Sequence, residues 1–75
     1  MRKKVSEMRP GEAGKVERLD PELAALISGR GIRTGSRLEV ETVQPMNGPL
    51  VLKVNGSTTS LGRKACQGII VEVDG

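Results

Sequence analysis

The stretch Leu50-Val51-Leu52-Lys53-Val54-Asn55-Gly56-Ser57-Thr58-Thr59-Ser60-Leu61 decides the fold class. Leu50, Leu52 and Val54 recur at every second position, the period of a strand with one buried face. Asn55-Gly56 then supplies two residues that tolerate positive φ, which is what the type I′ turn of a two-residue hairpin requires. The chain must therefore reverse here and pair Leu50–Val54 with Ser57–Leu61. An isolated hairpin is not stable in water, so the flanking sequence has to provide more strands.

Working toward the N-terminus, Gln44-Pro45-Met46-Asn47-Gly48-Pro49 holds too many turn formers for anything but an exposed loop. Before it, Arg37 to Val43 reads as a half-buried strand, with Leu38 and Val40 on one face and Arg37, Glu39 and Glu41 on the other. Asp20-Pro21-Glu22 reads as a helix start: a capping carboxylate, a residue with preset φ, and an anion at the positive dipole end. The helix is expected over Pro21 to Ser28, its apolar stripe formed by Leu23, Leu26 and Ile27. Gly31 is the candidate for a left-handed terminal conformation. Ala13 to Leu19, behind the Pro10-Gly11 turn, is expected as the first strand with Val16 inward. Toward the C-terminus, Gly62 to Gln67 should make one helical turn and Ile69, Val71 and Val73 a closing strand. The expectation is one mainly β domain over residues 1–75, a small barrel of about five strands with one short α-helix at its end. Its core should hold Val16, Leu23, Ile27, Ile32, Leu38, Val40, Leu52, Val54, Leu61, Ile69 and Val71.

Composition narrows the function. The 75 residues include no Phe, Tyr, Trp or His and one Cys. Without aromatics there is no base-stacking platform and no aromatic groove for proline-rich peptides. Without His, and with Cys66 alone, there is no Cys/His zinc site, no Ser-His-Asp triad and no disulfide within the chain. The net charge of +3 is accounted for by Arg2, Lys3 and Lys4, because nine basic and nine acidic residues balance from Val5 onward. Interspersed charge of this kind does not suggest a phosphate-backbone footprint. No apolar run approaches membrane-spanning length and none follows the basic start as a signal peptide would, so a cytoplasmic, non-inserted protein is expected.

The order and spacing of further residues resemble a known family. Pro10-Gly11-Glu12 with Gly14 and Val16, Gly31-Ile32 with Gly35, Leu38 and Val40, Gly48-Pro49, Val54 with Gly56, Leu61, and Ile69 with Val71 are similar to the FeoA family of ferrous iron transport proteins. The same domain occurs at the C-terminus of metal-responsive repressors of the diphtheria-toxin-repressor type. Departures fall at Leu26-Ile27 and Arg30, and at Leu61-Gly62-Arg63-Lys64-Ala65-Cys66, where Cys66 takes a small-residue position. The resemblance implies an SH3-like β-barrel that assists a separate membrane GTPase transporter, FeoB, by binding its cytosolic part, as a monomer or weak homo-oligomer. An alternative is a KOW-like RNA- or ribosome-associated barrel, since Pro10 to Val16 is also similar to that motif, although the likeness stops at the first strand.

Candidate sites are few. Cys66 lacks co-ligands and reads as a small buried packing residue. Glu39 with Glu41 would share a strand face beside Arg37, as a solvated surface does. Gly62-Arg63-Lys64 is followed by Ala65 and lacks the ending of a phosphate loop. No catalytic, cofactor or metal residue is therefore assigned, and no enzymatic activity is expected. Met46, an apolar residue in a polar loop, is either an adaptable contact or folds back over the barrel end. Arg30 and Arg33 flank Gly31 at the helix exit; with Met46 they form the candidate partner-binding surface.

Overall fold

The computed structural model describes all 75 residues. Its strands are β1 (Arg2–Lys4), β2 (Ala13–Leu19), β3 (Arg37–Val43), β4 (Leu50–Val54), β5 (Ser57–Leu61) and β6 (Ile69–Val73). Two helices, α1 (Pro21–Ile27) and α2 (Arg63–Cys66), and 3-10 turns at Val5–Glu7 and Ser28–Arg30 complete it. All strand pairs are antiparallel, in the order β1-β6-β2-β3-β4-β5.

The hairpin forms as its sequence requires. Val54 pairs with Ser57 and Leu50 with Leu61, across Asn55 at φ 48° and Gly56 at φ 88°. Helix α1 starts where its cap predicts, with the Glu22 N–H donating to Asp20 Oδ1 at 3.0 Å. The 3-10 turn Ser28–Arg30 prolongs it, and Gly31 ends the segment in the left-handed region at φ 78°. The single helical turn expected after Gly62 is α2.

Three expectations need correction. The basic start is a sixth strand: Arg2, Lys3 and Lys4 pair with Glu72, Val71 and Ile70. Backbone pairing is indifferent to side-chain charge when anions lie near, and Arg2 meets Glu17 at 2.6 Å and Lys3 meets Glu12 at 2.9 Å. The sheet curls but does not close into a barrel, because β1 and β5 end the strand order and do not pair with each other. Bulges between Val16 and Arg18 and between Val40 and Thr42 provide the curl, each inserting an extra residue that bends its strand. Finally, Leu26 is 79% exposed and Leu23 only half-buried, whereas Ile27 is buried. At about 100° per residue, Leu23 lies about 40° from Ile27 around the helix and Leu26 about 100° away. Only a face centred on Ile27 meets the sheet.

The core otherwise follows the alternation. Ten of the eleven expected residues are buried, and Val5, Met8, Leu50, Cys66 and Val73 join them. Gly14 lets β2 and β6 approach: a Cβ there would lie 2.1 Å from the Glu72 carbonyl oxygen.

Candidate functional site

No three His, Cys, Asp or Glu side chains converge in a way that could hold a metal ion. Cys66 is fully buried, and its S–H donates to the Leu61 carbonyl at 3.7 Å. Burial pushes its thiol from the usual 9.0 up to about 11, against a weaker opposing pull from Arg63. At neutral pH it is a protonated packing group rather than a thiolate ligand or nucleophile. Glu39 and Glu41 do not form a pair either. Glu41 stands at the β3 bulge and accepts from the Thr58 hydroxyl at 3.3 Å. Glu39 lies between Ala13 and Lys53 in the sheet.

Met46 is 99% exposed and does not fold back over the sheet. It occupies the first central position of a second type I′ turn, closed by the Gly48 N–H donating to the Pro45 carbonyl at 3.1 Å. Met46 and Asn47 have φ of 59° and 58°. Side chains other than Gly, Asn and Asp enter this region at an energetic cost, so the turn holds an apolar side chain in water in a backbone state that does not favour it. Arg63, at the start of α2, reaches the same loop: its guanidinium donates to the Gln44 carbonyl at 3.3 Å, and its Nε is buried with no partner.

Arg30 extends from the helix exit to the free side of β5, where it donates to the Ser60 carbonyl at 2.6 Å. Ser60 is aligned with Val51 and Thr42, near the end of β3 that leads into the Met46 loop. Arg33 is elsewhere. Its backbone N–H donates to the Ser36 hydroxyl at 3.0 Å, just ahead of β3, and its side chain is exposed. A seven-residue strand is about 23 Å long, so Arg33 and Met46 sit toward opposite ends of β3. The Arg30 guanidinium at Ser60 and the Arg63 guanidinium at Gln44 both lie toward the end of β3 that leads into the Met46 turn.

Sequence reasoning missed two features. One is Leu26, which with Leu23 and Ala65 lines a shallow depression between α1 and α2, rimmed by Lys4, Lys64, Asp20 and Glu22. The helical phase of Leu26 relative to Ile27 is the signal that could have found it. The other is Arg63, whose position depends on how α2 lies over the β3–β4 loop, which no local pattern encodes.

Comparison with known proteins bears on what such a surface serves. The chain is similar to a crystal structure of an iron uptake regulatory protein (FeoA), with a TM-score of 0.88 and 26% identity over 99% of both chains. The NMR structure of a FeoA-like protein from Clostridium acetobutylicum superposes at a TM-score of 0.83 with 28% identity, covering 92% of this chain and 83% of that one. A manganese-dependent transcriptional repressor aligns at a TM-score of 0.84 and 29% identity, but 93% of this chain spans only 40% of the repressor. Comparison with curated protein sequences gives no match. A family model described as the FeoA domain matches residues 3–73. With nearly its whole length matched, the chain belongs to the FeoA domain family, which is associated with ferrous iron transport.

Proposed function

We propose that this protein is a cytoplasmic accessory of ferrous iron transport that acts by docking on the cytosolic part of a FeoB-type membrane GTPase transporter. The observation that carries this reading is the FeoA-domain match over residues 3–73. The surface is consistent with it: the fold leaves Met46 and Leu26 in water although neither supports the core. An apolar side chain kept exposed in a costly backbone conformation points to a role outside the fold. Met46 and Arg30 form the docking surface in this reading, with Arg63 at its margin, and Arg33 lies outside it. The domain binds and regulates; it does not carry iron or hydrolyse nucleotide. The KOW-like RNA-binding alternative rests on Pro10 to Val16 alone, whereas the FeoA-domain match extends over residues 3–73.

The test is a titration of the isotope-labelled protein with the soluble GTPase domain of its own organism's transporter, followed by NMR. Saturable shifts should appear at Arg30, at Met46 and around the Pro45–Gly48 turn. The double variant Arg30→Glu with Met46→Ala should lose them at an unchanged melting temperature, while Arg33→Glu should retain them. Unchanged affinity of the double variant would refute the surface. Binding of short RNA with a steep salt dependence, and none of the GTPase domain, would refute the function.

A further inference from the structure

The two edges of the sheet are built differently. β1 has a charge at every position, Arg2, Lys3 and Lys4, the pattern that protects an edge from pairing with another chain. β5 reads Ser57-Thr58-Thr59-Ser60-Leu61, with no charge and no proline. Its register with β4 is continuous and free of bulges, and Thr58 and Ser60 are exposed. No strand lies on its far side.

The turn fixes which backbone groups face outward. In a two-residue hairpin the residues flanking the turn, here Val54 and Ser57, exchange hydrogen bonds, and hydrogen-bonded pairs then alternate along the ladder. Leu52 with Thr59 and Leu50 with Leu61 are the other bonded pairs, so Thr58 and Ser60 direct their N–H and C=O groups away from β4. The Ser60 carbonyl agrees, since it accepts from Arg30 and not from β4. Arg30 is a long, exposed side chain, and pairing along this edge requires it to give up the carbonyl.

We propose that β5 is a self-association edge, and that two copies of the chain pair antiparallel along Ser57–Leu61 about a twofold axis at Thr59. In that register Thr58 of one copy faces Ser60 of the other. Both are outward-facing residues, so each of the two equivalent pairs exchanges two backbone hydrogen bonds. A second copy is the fitting occupant because β5 brings no charge against its own image, whereas two β1 edges would set basic residues against one another. Charge also matches at the margin. Arg30, on giving up the Ser60 carbonyl to the incoming strand, is left beside Thr58 of the second copy, whose hydroxyl donates to that copy's Glu41, so a carboxylate stands near the displaced guanidinium. A pair of five-residue strands covers well under the roughly 1,200 Å² of a stable interface, so the dimer forms only at high concentration or where a partner gathers copies. This inference does not depend on the docking proposed above.

The experiment is sedimentation equilibrium on the full chain from micromolar to millimolar concentration, with an NMR dilution series. The weight-average mass should rise toward twice the monomer value, and the concentration-dependent shifts should be greatest at Thr58 and Ser60. The variant Thr58→Lys with Ser60→Lys sets lysine against lysine at both pairs and should stay monomeric with an unchanged melting temperature. Isotope-filtered NOEs between labelled and unlabelled wild-type chains give a check that needs no variant, and should connect Thr59 to Thr59 of the second copy. A wild type that remains monomeric at millimolar concentration would overturn the proposal. So would a lysine variant that associates as the wild type does, or intermolecular NOEs mapping to another face.

Discussion

Replacing Met46 by Asn should stabilise the fold and weaken docking together. The side chain is 99% exposed, so its removal forfeits no burial, and the sign of the stability change rests on the backbone. At φ 59° Met46 is in the left-handed region, which costs a side chain with an ordinary Cβ roughly 1–2 kcal/mol. Asn tolerates that region through its short polar side chain and recovers part of the cost, about 0.5–1 kcal/mol. Gly would recover more in the folded state but return about 0.5–1 kcal/mol through unfolded-chain entropy. For a domain of this size Met46→Asn should raise the melting temperature by about 2–8 °C, with an unchanged denaturant m-value because no buried surface changes. If Met46 is an anchor, its loss should cost more than about 1 kcal/mol of partner affinity, several-fold or more in Kd. Urea unfolding and calorimetric titration on the same preparation measure both. A destabilised variant would refute the strain argument, and a stabilised variant with unchanged affinity would show that the strain serves something other than docking.

Gly14→Ala should destabilise by about 3 kcal/mol or more, because a Cβ 2.1 Å from the Glu72 carbonyl must separate β2 from β6; a loss below about 1 kcal/mol in urea unfolding would contradict that packing. Cys66 should react with iodoacetamide at neutral pH only at the rate of global unfolding, and fast labelling of the native state would show that it is not sealed. Its raised thiol pKa also sets an alkaline limit. The folded state holds the proton more tightly, so this contribution is complete below the usual 9.0 and is lost as pH rises toward about 11; Cys66→Ala should flatten the decline. At the acid end, Lys3 and the Arg9 N–H lower the pKa of Glu12, the N-terminal ammonium lowers that of Glu72, and Arg37 lowers that of Asp74. A depressed folded-state pKa means stability present above the usual carboxylate range and lost as pH falls through the lower folded values. Asp74→Asn should therefore weaken the acid dependence of melting, and an identical profile would show that the Arg37–Asp74 pair does not contribute.

Much of the fold was legible because local and long-range demands agree. Asn55-Gly56 wants the conformation that the strand alternation on either side also needs, and Asp20 caps a helix that begins where the apolar phase begins. β1 was not legible, since three consecutive cations look like solvated tail unless Glu12 and Glu17, nine and fifteen residues from their partners Lys3 and Arg2, are known to lie beside them. Val5 and Met8 were missed for the same reason: their burial follows from the pairing of β1 with β6. Leu26 was misplaced because a stripe at i, i+3 and i+4 is wide enough for either margin to face water, and only the seating of α1 decides which. Of the candidate residues, the exposure of Met46 was legible from its polar, Pro-bounded loop and Arg30 stood out by its place at the helix exit, whereas the separation of Arg33 from them depends on the course of the chain from Gly31 to Ser36.

Charge gives the two proposed interactions opposite signatures. Along the sequence from Val5 the charges cancel, but the structure does not spread its ion pairs evenly. Met1 with Glu72, Arg2 with Glu17, Lys3 with Glu12 and Arg37 with Asp74 all involve the terminal strands or the segments beside them. Residues 28 to 66 keep Arg30, Arg33, Lys53, Arg63 and Lys64 outside any ion pair, against Glu39 and Glu41, an excess of three positive charges. The half of the chain that builds β3, β4, β5 and the Met46 turn is thus cationic although the body as a whole is neutral. A partner docking there should present acidic groups, and its association should slow as salt screens the attraction, over a Debye length of about 8 Å at physiological ionic strength. Pairing of β5 with its own copy brings two such halves together, and their net repulsion outweighs the Arg30–Glu41 attraction at the margin, so added salt should strengthen the dimer. Measured on one preparation across an ionic-strength series, docking should weaken while self-association grows. If both weaken together, the β5 contact is held by the Arg30–Glu41 attraction rather than by its backbone, and Glu41→Gln should then abolish the dimer that the edge alone was expected to sustain.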